Sequence, residues 1–224
     1  MTVKDLIASL ADLRMRAVFN PYSQRCAEHD CPEAAAYRRS NLEAVLNAAV
    51  HKGVDTVWIA RDLGYRGGRR TGVPLTDEVH LDSVSRLFGG LPVKRATLGP
   101  VVAERTAAVI WEAINQINRP IFLWNVFPLH PHAPGQPMSN RCHTRTEREK
   151  CRPILEALLE MLSPRQVVAI GRDAQLALRK SGIDSVAVRH PSYGGQGEFR
   201  AGVFQIYGMK QPSLDNQYSR LCLK

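Results

Sequence analysis

Three side chains suited to hydrolysing a sugar–base bond, Asp62, Asn125 and His190, each stand at or just beyond the end of a short apolar run. Such hydrolysis develops positive charge on the sugar and negative charge on the departing base. A carboxylate near the sugar stabilises the cation and positions water, and a donor at the base oxygen stabilises the anion. Asp62 and His190 are the right types for those two tasks. Asn125 offers both a donor and an acceptor, which reading a uracil edge requires.

The elements that must position these groups can be read from the hydrophobic pattern. Asp55–Ala60, Pro120–Asn125, Gln166–Gly171 and Asp184–Arg189 are apolar and rich in β-formers, so each is expected to be a buried strand. Helical periodicity fills the intervals. Ala34–Val50 places Leu42, Val45, Leu46 and Ala49 on one face, Val101–Ile117 does so with Val102, Ala108, Val109, Trp111 and Ile114, and Glu147–Leu162 with Ile154, Leu155, Leu158, Leu159 and Leu162. Strands alternating with helices predict an α/β fold, a central four-stranded and mostly parallel sheet covered on both faces. With 224 residues the chain is expected to form a single domain over residues 1–224.

Ligands of such sheets bind beyond the carboxyl ends of the strands, where all three chemical groups converge. The two long irregular stretches, Arg61–Asp77 and Val126–Thr146, leave that same edge and are expected to be functional. The first interleaves Arg66, Arg69 and Arg70 with glycines. It fits neither a dinucleotide fingerprint nor a phosphate-binding P-loop, and suits phosphodiester contacts instead. The second carries Arg141, His143 and Arg145, a further group expected to meet DNA. Thirty Lys and Arg against twenty-one Asp and Glu give a net charge of +9, a field that attracts polyanions. No stretch approaches the roughly 18 apolar residues of a membrane span, and the start lacks a leader-like pattern. The expectation is an intracellular, cytoplasmic monomer that uses no membrane.

The order of these features resembles the uracil-DNA glycosylase superfamily over about residues 50 to 205. Ala60-Arg61-Asp62-Leu63-Gly64 is similar to the first motif, Gly-Gln-Asp-Pro-Tyr in one branch and Gly-Glu-Ala-Pro-Gly in the iron–sulfur branch. In that register Asp62 matches the water-orienting aspartate, and Gly64 matches the tyrosine that excludes thymine. Thr71–Leu75 resembles the segment whose last residue, usually Phe, stacks on the base. Here that residue is Leu75, with Tyr65 or Phe127 as other candidates. Leu123–Asn125 resembles the segment whose Asn reads uracil, and His190-Pro191-Ser192 the final motif.

The resemblance implies the three-layer α/β/α fold of that superfamily, and an enzyme that flips uracil out of single- or double-stranded DNA and hydrolyses its bond to the sugar. It implies catalytic roles for Asp62 and His190, base contacts for Asn125, Leu75, Tyr65 and Gly64, and DNA contacts for Ser192, Tyr193 and Gly194. A glycosylase for another deaminated base such as hypoxanthine, and a slow-turnover or non-catalytic DNA-binding protein, are the alternatives. Cys26 and Cys31 have four residues between them, and Cys142 and Cys151 have eight. The family's cluster ligands begin with a tight Cys-x-x-Cys pair. No metal or organic cofactor is expected.

Overall fold

The computed structural model describes residues 1–209. Helix α1 (Val3–Asp12) leads into the short strand β1 (Val18–Phe19), helix α2 (Ala34–Lys52) and strand β2 (Thr56–Asp62). Next come α3 (Gly68–Thr71), α4 (Leu81–Leu87), α5 (Arg105–Ile117), β3 (Ile121–Phe127) and β4 (His130–Pro131). Helix α6 (Arg145–Leu162), β5 (Gln166–Ile170), α7 (Arg172–Lys180), β6 (Val186–Val188) and α8 (Gln196–Ile206) complete the described chain. No helix among the described residues is long and apolar enough to cross a membrane.

The four expected strands form one sheet in the order β3-β2-β5-β6, and every pairing is parallel. Helices flank this sheet, and its strands feed a core that includes Trp58, Phe122, Trp124 and Ile170. All seven residues of β3 are buried, as a strand covered on both faces requires. β6 departs from the expectation of a buried strand. It occupies the sheet's edge and leaves Val186 45% exposed. The chain leaves β2 toward β3 on one side and leaves β5 toward β6 on the other. The direction therefore switches between β2 and β5, where open parallel sheets form a crevice.

Local signals explain where the helices begin. Thr144 and Glu147 form a capping box at the start of α6, as Thr2 and Asp5 do at α1. Helix α5 starts at Arg105 rather than Val101, because Glu104 is extended and its N–H donates to Asp77 Oδ2 at 2.6 Å. Ala108, expected on the buried face, points outward. The stretch after β3 is not wholly irregular, since β4 pairs antiparallel with β1 and ties that loop to the N-terminal segment.

Candidate active site

A cavity of about 400 Å³ opens at the switch between β2 and β5. It is lined by the end of β2 and the residue after it, Ala60 to Leu63, and by the end of β5 and the first turn of α7, Ile170 to Asp173. Gly64, Gly68, Leu75 and Glu104 also line it, as do Arg189, His190, Ser192 and Tyr193. Asp62 and His190, far apart in sequence, therefore share one cavity.

Asp62 is held from several directions. His143 Nδ1 donates to its Oδ1, since an ionised carboxylate can only accept. Arg61 Nε meets its Oδ2 at 2.5 Å, and the same guanidinium reaches Asp173 at 2.5 Å. Its backbone carbonyl accepts from Asn125 Nδ2 at 3.0 Å. The carboxylate is 7% exposed, so its charge is fixed in a water-poor place where it acts strongly.

His190 is oriented by the turn it begins. Ser192 N–H donates to His190 Nδ1 at 3.1 Å, and the Ser192 hydroxyl lies 2.8 Å from the same atom. A backbone N–H can only donate, so Nδ1 is an acceptor and the ring proton sits on Nε2. Burial, followed by Arg61 and Arg189, pushes the imidazole down to about 4. The result is a neutral ring presenting a fixed N–H. Gly171 makes room for it, because a Cβ there would lie 3.0 Å from that of His190, and its φ of +89° suits only glycine.

Asn125 is fully buried, and its Oδ1 has no partner. It does not line the cavity, although Ala60, beside it in register, does. Leu75 and Gly64, expected to meet the base, line the cavity, as do Ser192 and Tyr193, expected to meet DNA; Tyr65 and Phe127 do not. Tyr193 is 97% exposed at a left-handed φ of +50°, followed by Gly194 at +79°.

The expected DNA-contacting cations divide into two groups. Arg66 and Arg145 are exposed. Arg69 and Arg70 are not: they are 4% and 6% exposed. Arg69 lies 4.2 Å above the Phe19 ring, and Arg70 pairs with Glu78 and Thr97. Arg141 lines the cavity, but its guanidinium is engaged within the fold. It grips both Glu147 oxygens at 2.6 and 2.8 Å and caps the carbonyls of Ala17, His132 and Cys142. His143, expected against DNA, is packed on Phe127 and holds Asp62. Phe19, Ala17 and Asp62 are remote in sequence from Arg69, Arg141 and His143, and charge alone gives no hint of burial.

Residues not singled out from sequence also border the cavity. Arg172 and Arg189 are exposed at its rim, at positions suited to phosphates. Asn140 lines the cavity, and its Oδ1 accepts from Tyr65 N–H at 3.1 Å and lies 3.3 Å from His130 Nε2. Glu104 enters from the start of α5 with its carboxyl between Gly64 and Gly67. The strand-end positions of Arg172 and Arg189 were a usable signal. Asn140 and Glu104 carried none.

This division predicts opposite outcomes for two arginines. Arg145→Ala should flatten the slope of log affinity for DNA against log salt by about one unit, with little change in stability. Arg141→Ala should leave the slope alone and lower stability by roughly 1.5–3 kcal/mol, the range for hydrogen bonds to charged groups. Salt titrations and urea melts of both variants check this, and the reverse pattern would refute it.

A family model described as the uracil DNA glycosylase superfamily covers residues 64–218. That span contains Leu75, Asn125 and His190, and begins just after Asp62. The crystal structure of wild-type Pedobacter heparinus SMUG2 is similar in fold, with a TM-score of 0.62 at 17% identity over 96% of this chain and 99% of that one. A search of curated proteins finds no match.

Proposed function

The chain belongs to the uracil DNA glycosylase superfamily, and on that premise we propose that it is a DNA glycosylase that removes uracil and leaves an abasic site. The observation that carries this reading is the pairing, in one cavity, of a restrained carboxylate at Asp62 with a neutral Nε2–H donor at His190. These are the two charges that hydrolysis of a uracil–sugar bond develops, met by fixed groups of opposite sense.

In the proposed sequence, Arg66, Arg145, Arg172 and Arg189 hold the phosphodiester backbone. Tyr193, exposed at the tip of the loop after His190, enters the base stack as the nucleotide rotates outward. The base then lies against Leu75. Asp62 supports the sugar cation and orients water, and His190 donates to the uracil 2-oxygen as the base leaves. Asn125 is closed off from the cavity beside Ala60, so it reads the base through its unpartnered Oδ1 only once the bound base displaces that wall; the oxygen then matches the ring N–H of uracil and opposes the bare ring nitrogen of cytosine. One N–H of its Nδ2 already donates to the Asp62 carbonyl. Asn125→Asp would set acceptor against acceptor there, so it should lose most uracil release.

Hypoxanthine is the second reading, favoured by Leu75 in place of an aromatic ring. It carries the same neighbouring N–H and C=O pair. The test is purified full-length protein incubated with oligonucleotides holding one uracil, hypoxanthine or cytosine, followed by alkaline cleavage of abasic sites. Uracil release with cytosine untouched is expected. Release of hypoxanthine alone would reassign the substrate, and release of neither base would overturn the enzymatic reading.

A further inference from the structure

Of the carboxyl groups that line the cavity, Asp62 and Asp173 are paired and Glu104 is not. Asp62 Oδ1 accepts from His143 and its Oδ2 from Arg61 Nε, and the same guanidinium reaches Asp173. Among the described residues no donor holds the carboxyl oxygens of Glu104. Only its backbone is engaged, the N–H by Asp77 Oδ2 at 2.6 Å and the carbonyl by Ala108 N–H at 3.0 Å. The carboxyl reaches the loop that leaves β2. A Cβ built on Gly64 would fall 2.3 Å from Oε1, and one on Gly67 would fall 2.3 Å from Oε2. Gly64 stands two residues past Asp62, so its Cα lies within about 7.6 Å of that of Asp62. Glu104 therefore offers a free acceptor beside the strand end that carries Asp62.

Hydrolysis needs a charge to oppose the sugar cation and also an acceptor for the proton of the attacking water. Asp62 suits the first task only, because protonating it would discharge the partner of Arg61. Resting on the uracil reading above, we propose that Glu104 is a further catalytic residue, the general base that takes the proton of the attacking water while Asp62 keeps its charge for the sugar. The water oxygen bonds to the anomeric carbon as the bond from that carbon to the base nitrogen breaks. The bonding pair leaves with the base, whose negative charge meets the His190 donor, and one water proton passes to a Glu104 oxygen. Release of that proton to solvent restores the carboxylate, and the base anion takes up a proton in turn.

The surroundings of Glu104 suit a base. Asp77 faces it from the loop before α4 and Arg66 from the loop after β2, while Arg61, Asp62, Arg172 and His190 share the cavity. Burial first and Asp77 second raise the Glu104 carboxyl to about 7, with Arg66 opposing. A general base works best when it titrates near the operating pH, where it is both ionised and avid for a proton. Desolvating a carboxyl that has no hydrogen-bonding partner costs stability, and no ion pair of Glu104 offsets that cost among the described residues.

The test is single-turnover uracil release by full-length protein at saturating enzyme, followed across neutral pH. The wild-type rate should rise about tenfold per pH unit below about 7 and level off above it, as a base that must be ionised requires. Glu104→Gln, of equal size, should lower the plateau by about 10²-fold or more and abolish the rise. Glu104→Ala leaves a space, and sodium formate should restore its rate at least about tenfold by supplying a carboxylate there, while sodium chloride at equal ionic strength should not. A purely structural role would give neither the loss of the pH limb nor the rescue. Glu104→Gln within about threefold of wild type, a retained rise with pH, or Glu104→Ala that formate accelerates no more than chloride overturns the assignment while the uracil reading stands. Absence of uracil release by the wild-type protein overturns both.

Discussion

Replacing Asp62 with asparagine should slow uracil release by on the order of 10³-fold while leaving affinity for uracil-containing DNA within about threefold. The size follows from what the substitution removes. Asparagine keeps the shape and can still accept from His143, but it carries no charge to oppose the cation growing on the sugar. A fixed charge in a water-poor site acts mainly on the transition state, so the loss belongs in the chemical step and not in ground-state binding. Arg61 and His143, which hold the carboxylate, make it unavailable for contacts that would strengthen DNA binding. Single-turnover rates at saturating enzyme, with filter-binding on the same duplex, separate the two effects. Equal losses in rate and affinity would mean that Asp62 only supports the loop.

Much of this site was legible because strand ends are legible. Short apolar runs give a parallel sheet, and the residues that follow each run must lie on one edge, which placed Asp62 and His190 together before any coordinates. The start of α5 was misread for a physical reason. Val101 and Val102 continue the apolar period, yet the backbone at Glu104 is diverted by Asp77, 27 residues away in sequence. The burial of the arginines comes from contacts that periodicity does not show. Arg70 and Arg141 look like surface charge until Glu78 and Glu147 fold against them, and Arg69 until Phe19 arrives through the β1–β4 pairing. His143 has no motif around it and gains its role only because its loop returns beneath β2. Spacing along a chain reveals elements and their ends, whereas ion pairs closed across the fold leave no periodic trace.

His190→Ala should slow the chemical step by about 10²–10³-fold, the usual effect of removing one preorganised donor from a developing anion. Its pH dependence distinguishes the neutral ring from a charged one. With its ionisation lowered to about 4, His190 is neutral through the physiological range, and the wild-type rate should show no loss attributable to this residue as pH rises from 6 to 8. A charged imidazole would instead lose activity across that interval. Stability supplies an independent check with a defined sign. A histidine whose folded-state value lies below its unfolded value near 6.5 binds more protons when unfolded, so its contribution to stability is complete above about 6.5 and declines as pH falls toward 4. His190→Ala should therefore remove part of the acid-side fall in melting temperature between those limits. Activity that drops on the alkaline side of neutrality in the wild type but not in the variant would show that the imidazole acts as a cation. The Nε2–H donor fixed by Ser192 would then be the wrong description of how the base departs.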